Sequence, residues 1–259
     1  MDAVLQKGRV LMPYYTFADP DIETSERLVR ESFDAGADMI ELGIPFSDPI
    51  ADGPVIQASH QRALTRNPDV GVKEAFELVK RVRSSYSQPL IFMSDINLIE
   101  AYGRDAFFQR AQSVGLDGVV IPDLCLEDAS EYRALSQQYH VHLIFLISPL
   151  CRPDRVKKIV DASTGFIYLI SSTGTTGERQ DFHENIQKLA EQIKAIKPIP
   201  ILVGFGISQP EQLKQLFSFS EGGIVGSHLV NIYAQAIENG EDPVSLVTQR
   251  LNILKSASR

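Results

Sequence analysis

The 259-residue chain contains no tryptophan, so its intrinsic fluorescence rests on tyrosine. Its two cysteines, Cys125 and Cys151, are too few for a disulfide scaffold and lack metal-ligand spacing, which is the usage of a reduced protein with incidental thiols. No basic-then-apolar leader is visible, because Met1-Asp-Ala-Val-Leu-Gln is too polar and too short. The longest apolar run, Val141 to Leu150, is broken by His142 and cannot span a bilayer. A cytoplasmic protein without a membrane partner is therefore expected. Positive charge is in deficit, with 25 Lys and Arg against 33 Asp and Glu and a formal net charge of −8. That balance argues against nucleic acid and anionic membranes as partners. A small phosphorylated ligand stays compatible, because backbone N–H groups bind phosphate locally. The histidines, His60, His140, His142, His183 and His228, show no H-E-x-x-H spacing, and order alone implies no Ser-His-Asp set. No metal is expected, and no histidine receives a role. Linkers and low-complexity tracts are also lacking, so residues 1–259 read as one domain.

What the chain does have is a regular succession of short apolar runs: Val10–Thr16, Met39–Leu42, Leu90–Ser94, Gly118–Ile121, His142–Ile147, Gly165–Ile170, Ile201–Gly204 and Gly223–Gly226. Between and after them lie helix-like stretches: Glu23–Ala35, Val72–Ser84, Asp105–Val114, Leu126–Tyr139, Asp154–Asp161, Phe182–Ile196, Pro210–Phe217 and Pro243–Leu254. The first carries an apolar stripe through Leu28-Val29 and Ser32-Phe33 with Glu and Arg opposite. Ser208-Gln-Pro-Glu211 reads as a capping box with Ser208 as N-cap. Strand–helix alternation implies parallel strands with right-handed crossovers, and eight units imply an α/β fold of the (β/α)8 TIM-barrel kind. Short extra helices are expected at the N-terminus and after the eighth strand, the latter over His228–Glu238. An open doubly wound sheet is the runner-up, weakened by the lack of an early G-x-G-x-x-G turn.

The most informative stretch is Glu41-Leu-Gly-Ile-Pro-Phe-Ser-Asp-Pro-Ile-Ala-Asp-Gly-Pro54. It puts a carboxylate, Glu41, inside an apolar strand and a second, Asp52, in the loop that follows. Alternation sets Met39 and Glu41 on one strand face. If that face looks into the barrel, Glu41 points toward the mouth, where such barrels keep their active sites. A carboxyl walled by apolar residues is expected to be held protonated near neutral pH and to exchange protons. Asp52, in a polar loop, is expected to stay ionised. The blander alternatives are a structural carboxylate for Glu41 and Asx turns for Asp52 and Asp48.

Two glycine turns form a second constellation. The seventh strand ends in Gly204-Phe-Gly206-Ile-Ser208 and the eighth in Gly226-Ser227. Loops in those positions, with the N-terminus of a short helix, are the recurrent phosphate site of these barrels. Ser171-Ser-Thr-Gly-Thr-Thr-Gly177 after the sixth strand has the small, polar, glycine-hinged make-up of a closing lid, without the G-x-x-x-x-G-K-[ST] pattern of a nucleotide loop.

Glu41 to Pro54 resembles the signature of the tryptophan synthase α subunit family. Further motifs agree in order along nearly the whole chain: Asp117–Leu124, Phe166–Tyr168 through Thr173–Gly177, Leu202–Gln212 and Ile224–Ser227. The resemblance implies a lyase of tryptophan biosynthesis that cleaves indole-3-glycerol phosphate by a retro-aldol reaction to indole and glyceraldehyde 3-phosphate. By the same resemblance, Glu41 is the catalytic carboxyl, Asp52 holds the indole N–H, and Thr176 of the lid bonds Asp52. Tyr168 lies beside Glu41, Tyr14 against the indole, and Gly177, Phe205, Gly206, Gly226 and Ser227 at the phosphate end. It implies no cofactor in this subunit, pyridoxal phosphate in a partner β subunit, and an α2β2 complex. Departures from the family pattern are Asp95-Ile-Asn97-Leu98 after the third strand, where Tyr-Tyr-Asn-Pro is common, Cys125 for a frequent proline, and Ser172 for an arginine. Other readings are a stand-alone indole-releasing lyase, a weakly active subunit that mainly activates the β protein, and another phosphate-binding barrel.

Overall fold

Closing a parallel sheet on itself removes its unpaired edges, and the apolar runs of this chain do so. In the computed structural model, residues 1–170, 179–204 and 206–258 are described, 179–184 by backbone alone. The strands are β1 (Val10–Thr16), β2 (Ile40–Gly43), β3 (Leu90–Met93), β4 (Gly118–Val120), β5 (His142–Ile144), β6 (Leu146–Ile147), β7 (Ile167–Ile170), β8 (Ile201–Gly204) and β9 (Gly222–Val225). They are hydrogen-bonded in the order β5-β4-β3-β2-β1-β9-β8-β7-β6, all parallel. The two ends of that order are consecutive pieces of the expected strand His142–Ile147, interrupted at Phe145. Its first half pairs with β4 and its second with β7, so the barrel has eight strand positions. The other expected strands are found with ends shifted by about two residues at most, within the usual scatter of boundaries.

Strand alternation sorts the side chains into two cores. Val10, Met12, Met39, Ile91, Val120, Ile144, Phe166, Leu202 and Ile224 fill the barrel interior. Leu11, Tyr15, Ile40, Leu42, Phe92, Val119, Leu143 and Val203 face the helices. Helix α1 (Asp2–Lys7) brings Leu5, with Met1 and Val4, into the interior cluster and plugs the N-terminal end of the barrel. This is the expected N-terminal helix.

The outer layer comprises α2 (Ile22–Asp34), α3 (Pro54–Arg66), α4 (Val72–Val82), α5 (Ile96–Tyr102), α6 (Arg104–Val114), α7 (Ser130–Gln138), α8 (Pro153–Ala162), α9 (Arg179–Ile196), α10 (Pro210–Leu216), α11 (Ser227–Asn239) and α12 (Pro243–Lys255). Asp21 caps α2, its side chain accepting the Thr24 N–H at 2.7 Å. Helices α3 and α5 lie outside the sequence expectation. The expected capping box is displaced by one residue: Gln209 is the N-cap of α10, Pro210 opens the helix, and Gln212 Oε1 accepts the N–H groups of Ser208 (2.8 Å) and Gln209 (2.9 Å). Proline fits the first helical position because its missing N–H has no intrahelical acceptor there, which pushes the cap to the residue before it.

At the N-terminal face, three carboxylates secure strand starts. Asp38 accepts the Leu11 N–H at 2.8 Å, Asp117 that of Leu90 at 3.0 Å, and Glu221 that of Ile201 at 2.8 Å. Each also holds a cation: Lys255 at 2.6 Å, Arg83 at 2.5 Å and Lys194 at 2.8 Å respectively. Stability is thus built at the end of the barrel opposite the expected chemistry.

A tight approach fixes the junction of β1, β8 and β9. A Cβ at Gly222 would stand 2.5 Å from the Val10 carbonyl oxygen and 2.6 Å from Val10 Cβ, both on rigid strand. Gly222→Ala is expected to destabilise the fold by about 1–3 kcal/mol, the usual cost of overpacking. A urea midpoint equal to that of the parent would contradict this packing.

Candidate active site

Toward the C-terminal ends of the strands lie those groups singled out by sequence that are among the described residues. Glu41 is in the middle of β2, in register with Tyr14 on β1 and Ile91 on β3. In-register residues of parallel neighbours share a face, and Ile91 belongs to the interior cluster, so Glu41 looks into the barrel. It is fully buried. One carboxyl oxygen lies 3.4 Å from the Tyr168 hydroxyl, and the other has no hydrogen-bond partner. A buried charge with so little compensation is costly. Burial first, then the negative charge of Asp52, push the Glu41 carboxyl up to about 8, against the modest opposing effect of Tyr168. The proton-holding carboxyl expected from the strand pattern is present.

Two tyrosines flank it, each lying over a glycine of the next strand. A Cβ at Gly43 would come 2.0 Å from the Tyr14 hydroxyl, and one at Gly204 would come 2.6 Å from the Tyr168 ring. Both rings therefore reach over neighbouring backbone that carries no side chain. Burial raises both phenols well above their ordinary range, so they remain hydroxyl donors.

Asp52 ends the loop 44–53 at the entrance to α3. Its side chain keeps only 19% exposure. The expectation that it stays ionised is corrected: burial, and then the charge of Asp95, push its carboxyl up to about 7. The reason is spatial. Asp95 stands at the N-cap position of α5 beyond β3 without a capping bond from its side chain and is itself buried, pushed up to about 6 by burial, Asp123 and Asp48. The loop is polar in composition, but its carboxylate is crowded by another from a different strand end. Asp123 is occupied by the Ile96 N–H at 2.9 Å.

His60 joins this group, although sequence left it without a role. It lies on the buried stripe of α3 with Ile56, Ser59 and Ala63. Its Nδ1 accepts the Phe46 N–H at 3.0 Å, and its Nε2 stands 3.3 Å from the Tyr14 hydroxyl and 3.6 Å from Asp52 Oδ2. Burial lowers it to about 4, so it is neutral. The available signal was a histidine two turns into a helix that begins beside Asp52.

The glycine turns follow β8 and β9, on the far side of β1 from the strand of Glu41. Gly204 ends β8 beside Ile224 of β9. Gly206 is exposed, and a Cβ there would meet nothing within 4 Å among the described residues, so neighbouring side chains do not require its glycine. Gly226 is the N-cap of α11 and Ser227 its first residue. The first turn of a helix offers N–H groups without intrahelical acceptors, together with the positive end of its dipole. A Cβ at Gly226 would stand 3.6 Å from Tyr14 Cβ, which ties this turn to the carboxylate half of the site. Thr176, Gly177 and Phe205 lie outside the described residues.

Among the described residues no group of three or more His, Cys, Asp or Glu side chains could hold a metal ion, and no helix is long and apolar enough to cross a membrane. Cys125 and Cys151 are both free thiols.

Comparison with known proteins gives one answer. Residues 2–259 match the family model described as tryptophan synthase alpha chain. The tryptophan synthase alpha chain of Alkaliphilus metalliredigens is 42% identical over 89% of this chain and 86% of its own. The crystal structure of tryptophan synthase subunit alpha from Legionella pneumophila superposes with a TM-score of 0.89 at 34% identity, covering 99% of this chain and 97% of its own. A chain of the tryptophan synthase α2β2 complex of Pyrococcus furiosus does so at 0.87 and 36% identity, covering 96% and 98%.

The buried carboxyl has a measurable signature. Because the folded-state value of Glu41 is raised from 4.5 to about 8, the folded protein binds more protons than the unfolded chain between those values, and stability falls as pH rises through that window. Each pH unit of the difference is worth about 1.4 kcal/mol. Glu41→Gln removes this loss. Its melting temperature is expected to exceed that of the parent by more at pH 9 than at pH 5. An equal offset at both pH values would contradict a neutral buried Glu41.

Proposed function

The chain belongs to the tryptophan synthase alpha chain family, and on that premise we propose that Glu41 carries the proton transfers of its reaction while Asp52 stabilises the charge that develops on the indole ring. The α chain is a lyase acting on indole-3-glycerol phosphate, which it splits into indole and glyceraldehyde 3-phosphate. It carries no cofactor of its own; pyridoxal phosphate belongs to the β subunit with which it forms the α2β2 complex. The cytoplasm is the compartment proposed for this chain.

In this reading Glu41, held protonated by its apolar surroundings, delivers its proton to indole C3. The ring then carries positive charge, and Asp52 accepts the ring N–H and stabilises that charge. Glu41, now a carboxylate, takes the proton of the glycerol hydroxyl next to the ring. The C–C bond breaks, its electron pair returns to the ring, the hydroxyl carbon becomes the aldehyde, and Glu41 regains its proton. One carboxyl acts twice, which suits a value near neutrality. Asp52 needs to be ionised when the ring charges. The substrate N–H favours that form, because hydrogen bonding to a carboxylate lowers its pKa. Tyr14 supplies an apolar face to the indole, and Tyr168 a hydroxyl beside Glu41. The phosphate dianion is assigned to the turns at Gly206 and Gly226-Ser227, with Gly177 and Phe205 completing that end and Thr176 bonding Asp52.

The observation that carries this reading is the fully buried Glu41 carboxyl, inward-facing and half unpartnered, beside Tyr168. A structural carboxylate at that depth would be matched by a cation or by several donors.

Indole release from indole-3-glycerol phosphate, with and without the β subunit, tests the roles. Glu41→Gln is expected to abolish release while β binding persists; near-parental release would refute its role. Asp52→Asn is expected to lower kcat by about 100-fold or more, the range found for losing a group that stabilises transition-state charge. Ser227→Asp sets a carboxylate at the helix N-terminus and is expected to raise KM about tenfold or more with a smaller change in kcat. An unchanged KM would place the phosphate elsewhere.

A further inference from the structure

We propose that His60 is a positioning residue of this site: it anchors the 44–53 loop and directs a ring N–H toward Asp52 and Tyr14. The inference rests on the role given above to Asp52.

The geometry fixes the tautomer. Nδ1 accepts the backbone N–H of Phe46 at 3.0 Å, so in the neutral ring the proton is on Nε2. That nitrogen faces the Tyr14 hydroxyl at 3.3 Å and Asp52 Oδ2 at 3.6 Å. The Asp52 distance is a contact rather than a full hydrogen bond. The ring is held rigidly. His60 is 3% exposed and one residue from Ser59, whose hydroxyl bonds the Ile56 carbonyl at 2.6 Å and Thr16 Oγ1 at 2.5 Å. One imidazole thus links Phe46 near the start of the loop, Asp52 at its end, and the aromatic ring from β1.

The consequence for Asp52 is electrostatic. The titratable groups around it are Glu41 from β2, Tyr14 from β1, Tyr168 from β7 and Asp95 at the cap of α5, with Asp123 and Asp48 behind Asp95. Of these, Asp95 disfavours its charge. The Nε2–H of a neutral His60 favours the ionised form, and holding Oδ2 leaves Oδ1 for the ring N–H of substrate. Removing that donor should raise the value at which Asp52 ionises, so the acid limb of the rate profile moves to higher pH.

Two isosteric substitutions separate this from a purely structural clamp. His60→Asn keeps an acceptor at the Nδ1 position for Phe46 and loses the donor; His60→Gln keeps a donor at the Nε2 position. Both are measured in the complex with the β subunit, by indole release across pH. Expected is a fall in kcat of about tenfold for His60→Asn with KM changed less than about threefold, an acid limb moved up by about half a unit, and recovery of most of the loss in His60→Gln. In an Asp52→Asn background, His60→Asn should add almost nothing, because the two groups act as one. Parental kinetics in His60→Asn, or equal damage by both variants with an unmoved acid limb, overturns the proposal. If Asp52→Asn alone is fully active, the fault lies instead with the role of Asp52. Should the variants fold poorly, long-range 1H–15N spectra of the parent protein decide: a neutral Nε2–H ring for His60 is expected, and an Nδ1–H ring overturns the proposal.

Discussion

The constraint on which the site depends is a carboxyl group that has nowhere to put its charge. Glu41 is set among the apolar layers of a barrel interior, with one oxygen near a tyrosine hydroxyl and the other bare. Such a group holds its proton at pH values where an exposed glutamate would not, which turns an ordinary side chain into an acid that can also act as a base. Every other feature of the mouth can be understood as arranged around it. Tyrosines wall it from two strands, a second carboxylate is kept at the loop, and glycine turns follow β8 and β9 on the other side of β1.

The barrel divides labour along its axis. At the N-terminal end, α1 closes the bore and three carboxylates each tie a strand-opening N–H to a basic side chain, so the charges there are satisfied. At the C-terminal end the charges are crowded and unsatisfied: Glu41, Asp52 and Asp95 all lie above the ordinary carboxylate range. Three acids that resist ionising weaken a protein.

The strands were legible in the sequence because both faces of a barrel strand are buried, which leaves continuous apolar runs. Alternation put Glu41 on one face with Met39, and the closed barrel shows that this face looks inward. The helices were legible where an apolar stripe met solvent, as in α2. Helix α3 was not, because its buried stripe runs through Ser59 and His60: it packs against the polar side of the site, and the usual periodicity is erased. The role open to His60 disappeared with the helix. The ionisation of Asp52 misled for a related reason. Its own loop is polar, but Asp95, which crowds it, comes from another strand end, and such a meeting is made only by the closed barrel. The halves of the fifth strand could not be separated either, since pairing on two sides leaves no mark on composition.

Gly43 and Gly204 carry an implication beyond this reaction. Each leaves the gap through which a tyrosine of the adjacent strand extends. The two rings therefore keep their places only while the main chain beneath them stays bare. A descendant seeking a bulkier substrate would trim Tyr14 or Tyr168 and gain room at once. One enlarging either glycine would set a Cβ 2.0 Å from the Tyr14 hydroxyl or 2.6 Å from the Tyr168 ring and displace it. Room in this chamber is thus to be gained at the rings and not at the glycines beneath them.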